Sequence, residues 1–212
     1  MSKDGTKPRL IEECMATHDI PGYEHRIIGL EEVQKIDSRY LNECLSVEHW
    51  SKATDFLRMH YIHKYGGIYL DADVKVLGGF DDLLKYKAFV CLESTGFIAA
   101  CVMGGEAEVP LFKQYLEAVE SNFRGDGTMV FEVGPRLMTD YFYWNAKPAS
   151  GVKILPQEFF CPYDNVTNSI KITEDTRAFH YFTKSWRGED AKKEYDSQSS
   201  VDKIKKIAES IP

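Results

Sequence analysis

The chain has 212 residues, a length that suits one domain and can bury a substantial core. Apolar residues make up 43% and charged residues 28%, ordinary values for a globular protein. The formal net charge of −7, with no basic stripe, argues against nucleic acid as a partner. An anionic diphosphate would have to be met by a cation or by local positive groups.

In chain order, Met1 to Arg9 is polar and carries no leader pattern. Leu10, Ile11, Cys14 and Met15 recur at helical spacing, and Pro21-Gly22 closes that segment. Tyr23 to Gly29 reads as a strand, and Leu30 to Leu45 as short helical pieces around a loop. The next segment has the clearest pattern. Trp50, Ala53, Leu57, Tyr61 and Tyr65 step by three or four residues along one helical face. Gly66-Gly67 stops that helix, because glycine takes a left-handed conformation cheaply. Ile68 to Val76 follows as a β-branched strand that would direct Tyr69, Asp71 and Asp73 to one side.

Asp81-Asp82 starts a helical turn, and Ala88–Leu92 and Phe97–Met103 read as buried strands. Pro110 opens a helix to about Phe123, residues 124–128 form a loop, and Pro135 opens a helix to about Trp144. Val152–Leu155, Ser169–Ile172 and Ala178–Tyr181 are short strand candidates. From Gly188 the chain turns rich in Lys, Glu, Asp and Ser, which suggests a domain over 1–187 and a charged helical tail or linker over 188–212. Alternating helices and strands favour a single α/β domain. No apolar run is long enough to span a bilayer, which leaves room only for peripheral membrane contact. Cys14, Cys44, Cys91, Cys101 and Cys161 are scattered without zinc-ligand spacing. They read as buried free thiols suited to a reducing compartment, so a cytoplasmic location is expected.

Chemistry concentrates between Ala53 and Val74. Two carboxylates one residue apart at a strand end, Asp71 and Asp73, repel each other unless a proton or cation compensates. Hard oxygen donors suit Mg²⁺ or Mn²⁺, and such an ion holds a diphosphate and neutralises charge as it leaves. Asp55 and Arg58 lie three apart on the preceding helix and share a face, one able to accept sugar hydroxyl hydrogens, the other able to approach phosphate or sugar oxygens. Each piece alone has a plainer reading. Asp-x-Asp is common at solvated strand ends, Asp55–Arg58 alone is a helix-surface ion pair, and Gly-Gly alone is a helix stop.

In order and spacing, Thr54, Asp55, Arg58, Tyr65, Gly66, Gly67, Tyr69, Leu70, Asp71 and Asp73 resemble the DXD-containing sugar transferases. This family 32-like group includes yeast-type mannosyltransferase initiators and bacterial capsule and lipopolysaccharide enzymes. The large clostridial glucosylating toxins share the same spacing. Weaker matches follow in Gly134-Pro135, in Phe160-Cys161-Pro162, and in His180 followed by Ser185-Trp186. The resemblance covers about residues 10–187. It implies a GT-A fold, a Rossmann-like mixed sheet flanked by helices with the DXD after a central strand.

It further implies a metal-dependent hexosyltransferase using Mn²⁺ or Mg²⁺. Such an enzyme would move sugar from a nucleotide-sugar donor, UDP-linked as first choice, to a saccharide acceptor in glycan or polysaccharide synthesis, with retention. By the same resemblance, Asp73 binds the metal and Asp71 binds ribose or supports the metal. Asp55 and Arg58 hold the donor sugar, Tyr69 lines the nucleotide pocket, and Ser185 and Trp186 close over metal and diphosphate. His180 reads as structural rather than as a ligand, and Trp186 reads equally well as a packing aromatic. Glu93 and Asp126 are candidates for an acceptor base.

The family's Ile-His-x-x-Trp-type segment before the first helix is not seen, since the chain enters that helix near Arg9. This motivates a rival reading, a degenerate module that binds nucleotide-sugar or glycan without turnover. A second rival is a phosphohydrolase of the haloacid dehalogenase kind, whose strand also ends in Asp-x-Asp and whose later acidic motif Gly125-Asp126-Gly127 mimics. Activity on a generic aryl phosphate separates it from a transferase.

Overall fold

The computed structural model describes residues 7–94, 96–124, 134–145, 150–164 and 166–183. The proposed tail over 188–212 lies outside them. The described residues form a mixed α/β unit. Its helices are α1 (Arg9–Ala16), α2 (Leu30–Val33), α3 (Arg39–Ser46), α4 (Trp50–Tyr65), α5 (Pro110–Asn122) and α6 (Pro135–Asn145). Its strands are β1 (Gly67–Leu70), β2 (Val74–Val76), β3 (Ala88–Leu92), β4 (Ile98–Gly105), β5 (Val152–Leu155), β6 (Tyr163–Asp164), β7 (Ser169–Ile170) and β8 (Ala178–His180).

The central sheet has the order β1-β4-β3-β5, with β3 and β5 parallel and β4 antiparallel to both its neighbours. It is mixed and flanked by helices, as the resemblance implied. One face carries Ala88, Val90, Ile98, Ala100 and Met103 against Phe56, Met59 and Ile62 of α4 and Phe112 and Tyr115 of α5. The other face buries Phe89, Cys91 and Cys101 against Val74, Phe80, Phe160 and Ala178. Strands covered on both faces read as near-continuous apolar runs, which is why β3 and β4 were visible in the sequence.

Three expectations need correction. Tyr23 to Gly29 is turn and irregular chain, not a strand. The Tyr23 hydroxyl donates to Asp81 Oδ1 at 2.8 Å, while Ile27 is exposed, so the segment is fixed by side-chain contacts rather than by a ladder. Helix α4 exists with the expected bounds, but its buried stripe is Ala53, Phe56, Met59 and Ile62, whereas Trp50 and Tyr65 are exposed. Most important, Ile68 to Val76 is not one strand. It breaks at Asp71-Ala72-Asp73, where the Val74 amide donates to Asp71 O, and β2 then leaves the central sheet to pair with β8.

Glycine is required at the joint between α4 and β1. Gly66 has φ 68°, and a Cβ there would meet Ala107 N at 2.9 Å, so a side chain is excluded by both conformation and space. The helix therefore ends where β1 must begin. Among the described residues, no helix is long and apolar enough to cross a membrane.

Candidate functional site

The site is built where β1 ends and the chain switches sheets. The key irregularity is in β4. Val90 pairs with Met103, but Cys91 pairs with Ala99, so Ala100, Cys101 and Val102 bulge relative to β3. One carbonyl of the bulge faces the site, and a second continues the β1–β4 ladder past Leu70. Ala100 O accepts from Arg58 Nη1, and Cys101 O accepts from the Asp71 amide at 2.8 Å.

Arg58 is 6% exposed and joins the acidic groups. Its Nη2 lies 3.0 Å from Asp55 Oδ1 and 3.5 Å from Asp71 Oδ1, and its guanidinium sits 4.8 Å from the centre of the Tyr69 ring. Burial works against its charge, but Tyr69, Asp71 and Asp55 outweigh burial and keep it a firm cation. Tyr69 also donates its hydroxyl to Asp71 Oδ1 at 2.5 Å, so both contacts on Asp71 orient it through the same oxygen. Asp55 is raised from 3.8 to about 6, first by burial and then, against the pull of Arg58, by Asp71. Gly134, at φ 103°, passes so close that a Cβ there would lie 2.6 Å from Asp55 Oδ2. Its amide donates to the Tyr115 hydroxyl at 3.2 Å, which fixes this backbone over the carboxylate.

Asp73 faces a different set of partners because β2 pairs with β8. Its Oδ2 accepts from the Thr183 amide and hydroxyl, each at 2.8 Å, and its Oδ1 lies 3.4 Å from His180 Nε2. Burial alone would raise this carboxyl, but the contacts with His180 and Thr183 outweigh it and hold Asp73 well below the usual carboxylate range. His180 moves the opposite way. Burial lowers it, while Cys101 and Asp73 raise it well above an ordinary imidazole. The Tyr181 amide donates to Asp73 O, and the two residues after α1 brace β2, with His18 Nε2 2.8 Å from Val74 O and Thr17 Oγ1 accepting from the Val76 amide.

Asp71, Asp73 and His180 each offer a ligand atom, and these atoms lie within 4.8 Å of one another. Two carboxylates and an imidazole form a donor set that fits a divalent cation. The pairing of β2 with β8 brings this about, since Val74 lies opposite His180 and Asp73 next to it.

The structure thus brings together Asp55, Arg58, Tyr69, Asp71 and Asp73. Ser185, Trp186 and Asp126 lie outside the described residues. Glu93 follows β3, where its amide donates to Phe97 O in the turn toward β4. His180, Thr183 and Tyr115 were not expected at the site. Of these only His180 had a signal, in its position shortly before Ser185-Trp186.

A helix bearing an acid–arginine pair, followed by a strand and a turn that carries two aspartates, is the arrangement the sequence resemblance implied. Residues 9–90 match the model described as a glycosyltransferase sugar-binding region containing DXD motif, so this part of the chain is similar to that family. Among solved structures, one described as PaToxG Glycosyltransferase is similar at 21% identity over 55% of this chain and 44% of that chain, with a TM-score of 0.44. The chain therefore spans less than half of that structure. No curated protein matches significantly.

Proposed function

We propose that this protein transfers a hexosyl group from a nucleoside-diphosphate sugar to a saccharide hydroxyl. The observation that carries the reading is the convergence of Asp71, Asp73 and His180 donor atoms within 4.8 Å, beside a buried Arg58–Asp55 pair. Asp73, Asp71 and His180 would hold Mn²⁺ or Mg²⁺, which supplies charge neutralisation at the diphosphate when bound. Ser185 joins this ligand set in the proposal, on the family resemblance alone.

The chain's own residues divide the remaining work. Asp55, where ionised, accepts hydrogen bonds from donor-sugar hydroxyls. Arg58, enclosed by Asp55, Asp71, Tyr69 and Ala100 O, holds both carboxylates at fixed positions and places positive charge behind the diphosphate. Tyr69 orients Asp71 through its hydroxyl and forms part of the nucleotide wall. Thr183 keeps Asp73 ionised and aimed at the cleft. Trp186 closes over the donor in this reading. Anomeric retention, UDP as the nucleotide and a role in glycan or polysaccharide assembly complete the proposal and rest on the family resemblance.

A panel of UDP- and GDP-hexoses tests it directly, with slow donor hydrolysis or transfer to simple saccharides as the readout. The expected result is Mn²⁺-dependent turnover that Asp73→Asn abolishes while thermal stability is kept. Turnover that survives in a folded Asp73→Asn variant would sink the metal assignment. Donor binding without any turnover would favour the binding-module reading instead.

A further inference from the structure

The carboxylate triad adjoins a second group of donors. Cys101 in the β4 bulge and Cys161 after β5 place their Sγ atoms 3.3 Å apart, and both are buried. His180 belongs to this group as well, since Cys101, Cys161 and His180 offer ligand atoms within 4.8 Å of one another. Its Nδ1 is buried, and the ring interacts with the Cys101 thiol. Cys91, the residue at the bulge itself, interacts with the Cys161 thiol and adds a third sulfur beside the pair. These residues are far apart in the chain, so no ligand spacing is visible in the sequence. Two of the five cysteines nevertheless converge on one histidine, with Cys91 behind Cys161.

We propose that Cys101, Cys161 and His180 form a second cation site, selective for a thiophilic divalent ion of the zinc class, which shares His180 with the carboxylate triad and competes with it. Two sulfurs 3.3 Å apart are within reach of one ion, because two Zn–S bonds of about 2.3 Å span up to about 4.6 Å. Thiolates favour soft ions, carboxylates favour hard ones, and imidazole accepts both. One ring between the two groups therefore joins a hard site to a soft one.

Access favours this arrangement. The side chain of His180 is 14% exposed and that of Asp73 12%, whereas Cys101 is 2% and Cys161 0% exposed, so an ion reaches the sulfurs by way of the histidine. Burial also keeps the Cys101 thiol protonated, so the ion displaces a proton as it binds. A soft ion on His180 Nδ1 leaves the ring proton on Nε2, which faces Asp73, so the neutral ring cannot also ligate an ion held by Asp71 and Asp73. The backbone ties the two sites further, because Cys101 O holds the Asp71 amide and Phe160 O accepts from the His180 amide. The consequence is inhibition by zinc-class ions through the DXD site, and this competitive part rests on the function proposed above.

The test is titration of the reduced 212-residue chain with Cd²⁺, read by the ultraviolet sulfur-to-cadmium charge-transfer band. A saturable band is expected that Zn²⁺ displaces and that persists in Asp71→Asn. Cys101→Ser and Cys161→Ala should each weaken Cd²⁺ binding by at least about 10-fold. If Cys101→Ser does not fold, Cys161→Ala carries the comparison. No band, or a band unchanged in folded cysteine variants, would overturn the site. In a second arm, bound Mn²⁺ is followed by electron paramagnetic resonance as Cd²⁺ is added. Displacement of Mn²⁺ supports the shared histidine, and a full Cd²⁺ band with Mn²⁺ undisturbed overturns the sharing. A Cd²⁺ band in a chain that never binds Mn²⁺ supports the sulfur site and counts against the proposed transferase reading alone.

Discussion

Asp55 and Asp73 lie in one site but titrate in opposite directions, for reasons that can be traced atom by atom. Asp55 is buried beside another carboxylate and moves up to about 6; Asp73 is held down by His180 and Thr183. Because the folded chain binds the Asp55 proton more tightly than the unfolded chain, its stabilising contribution is complete below 3.8 and is lost as pH rises through about 6. Thermal denaturation across that window should show this loss, and Asp55→Asn should remove it. Donor binding should run the other way, weakening as pH falls through about 6 because a neutral Asp55 no longer accepts from the sugar. A titration of donor affinity against pH that is flat across this range would refute that role for Asp55.

Arg58 gives a second prediction at this scale. Arg58→Ala leaves Asp55 and Asp71 without their shared cation, and removing one partner from a buried pair costs roughly 3–5 kcal/mol. Chemical denaturation of the variant measures it. Thr183→Val removes a hydroxyl donor from Asp73 Oδ2 and should lower Mn²⁺ affinity on the order of 10-fold with little change in melting temperature.

Among the elements, the helices and buried strands were legible because their patterns are local. Pro110 and Pro135 mark helix starts, Gly66-Gly67 marks a stop, and β3 and β4 are apolar throughout. What escaped the sequence depends on partners distant in the chain. The break after Leu70 comes with the pairing of β2 and β8, and the β4 bulge with the bond from Arg58 to Ala100 O. Neither pairing leaves a local mark. For the same reason Asp71 and Asp73 were legible as a pair while His180, over a hundred residues later, was set aside as structural.

Gly66 and Gly134 test the joints of this arrangement. Gly66→Ala should destabilise by at least about 1 kcal/mol, since a Cβ would strike Ala107 N with φ at 68°. Gly134→Ala should keep helix content, as seen by circular dichroism, yet weaken donor binding, because the new methyl would displace Asp55.

At the scale of the molecule, the two sheets meet at one point. The central sheet delivers Asp71 and the buried Arg58 pair, the small β2–β8 sheet delivers Asp73 and His180, and the turn between β1 and β2 brings them together. The site is therefore as rigid as the packing on both sides of that turn, and Thr17 and His18, just after α1, contribute through their contacts to β2 although neither is a site residue. For an acidic chain of net charge −7 to hold a diphosphate as proposed, a cation must complete the site. Calorimetric titration of UDP into the protein, with and without Mn²⁺, tests this most directly. The account predicts binding that requires Mn²⁺ and disappears in Asp73→Asn. Equal binding with and without Mn²⁺, or binding preserved in a folded Asp73→Asn variant, would contradict it.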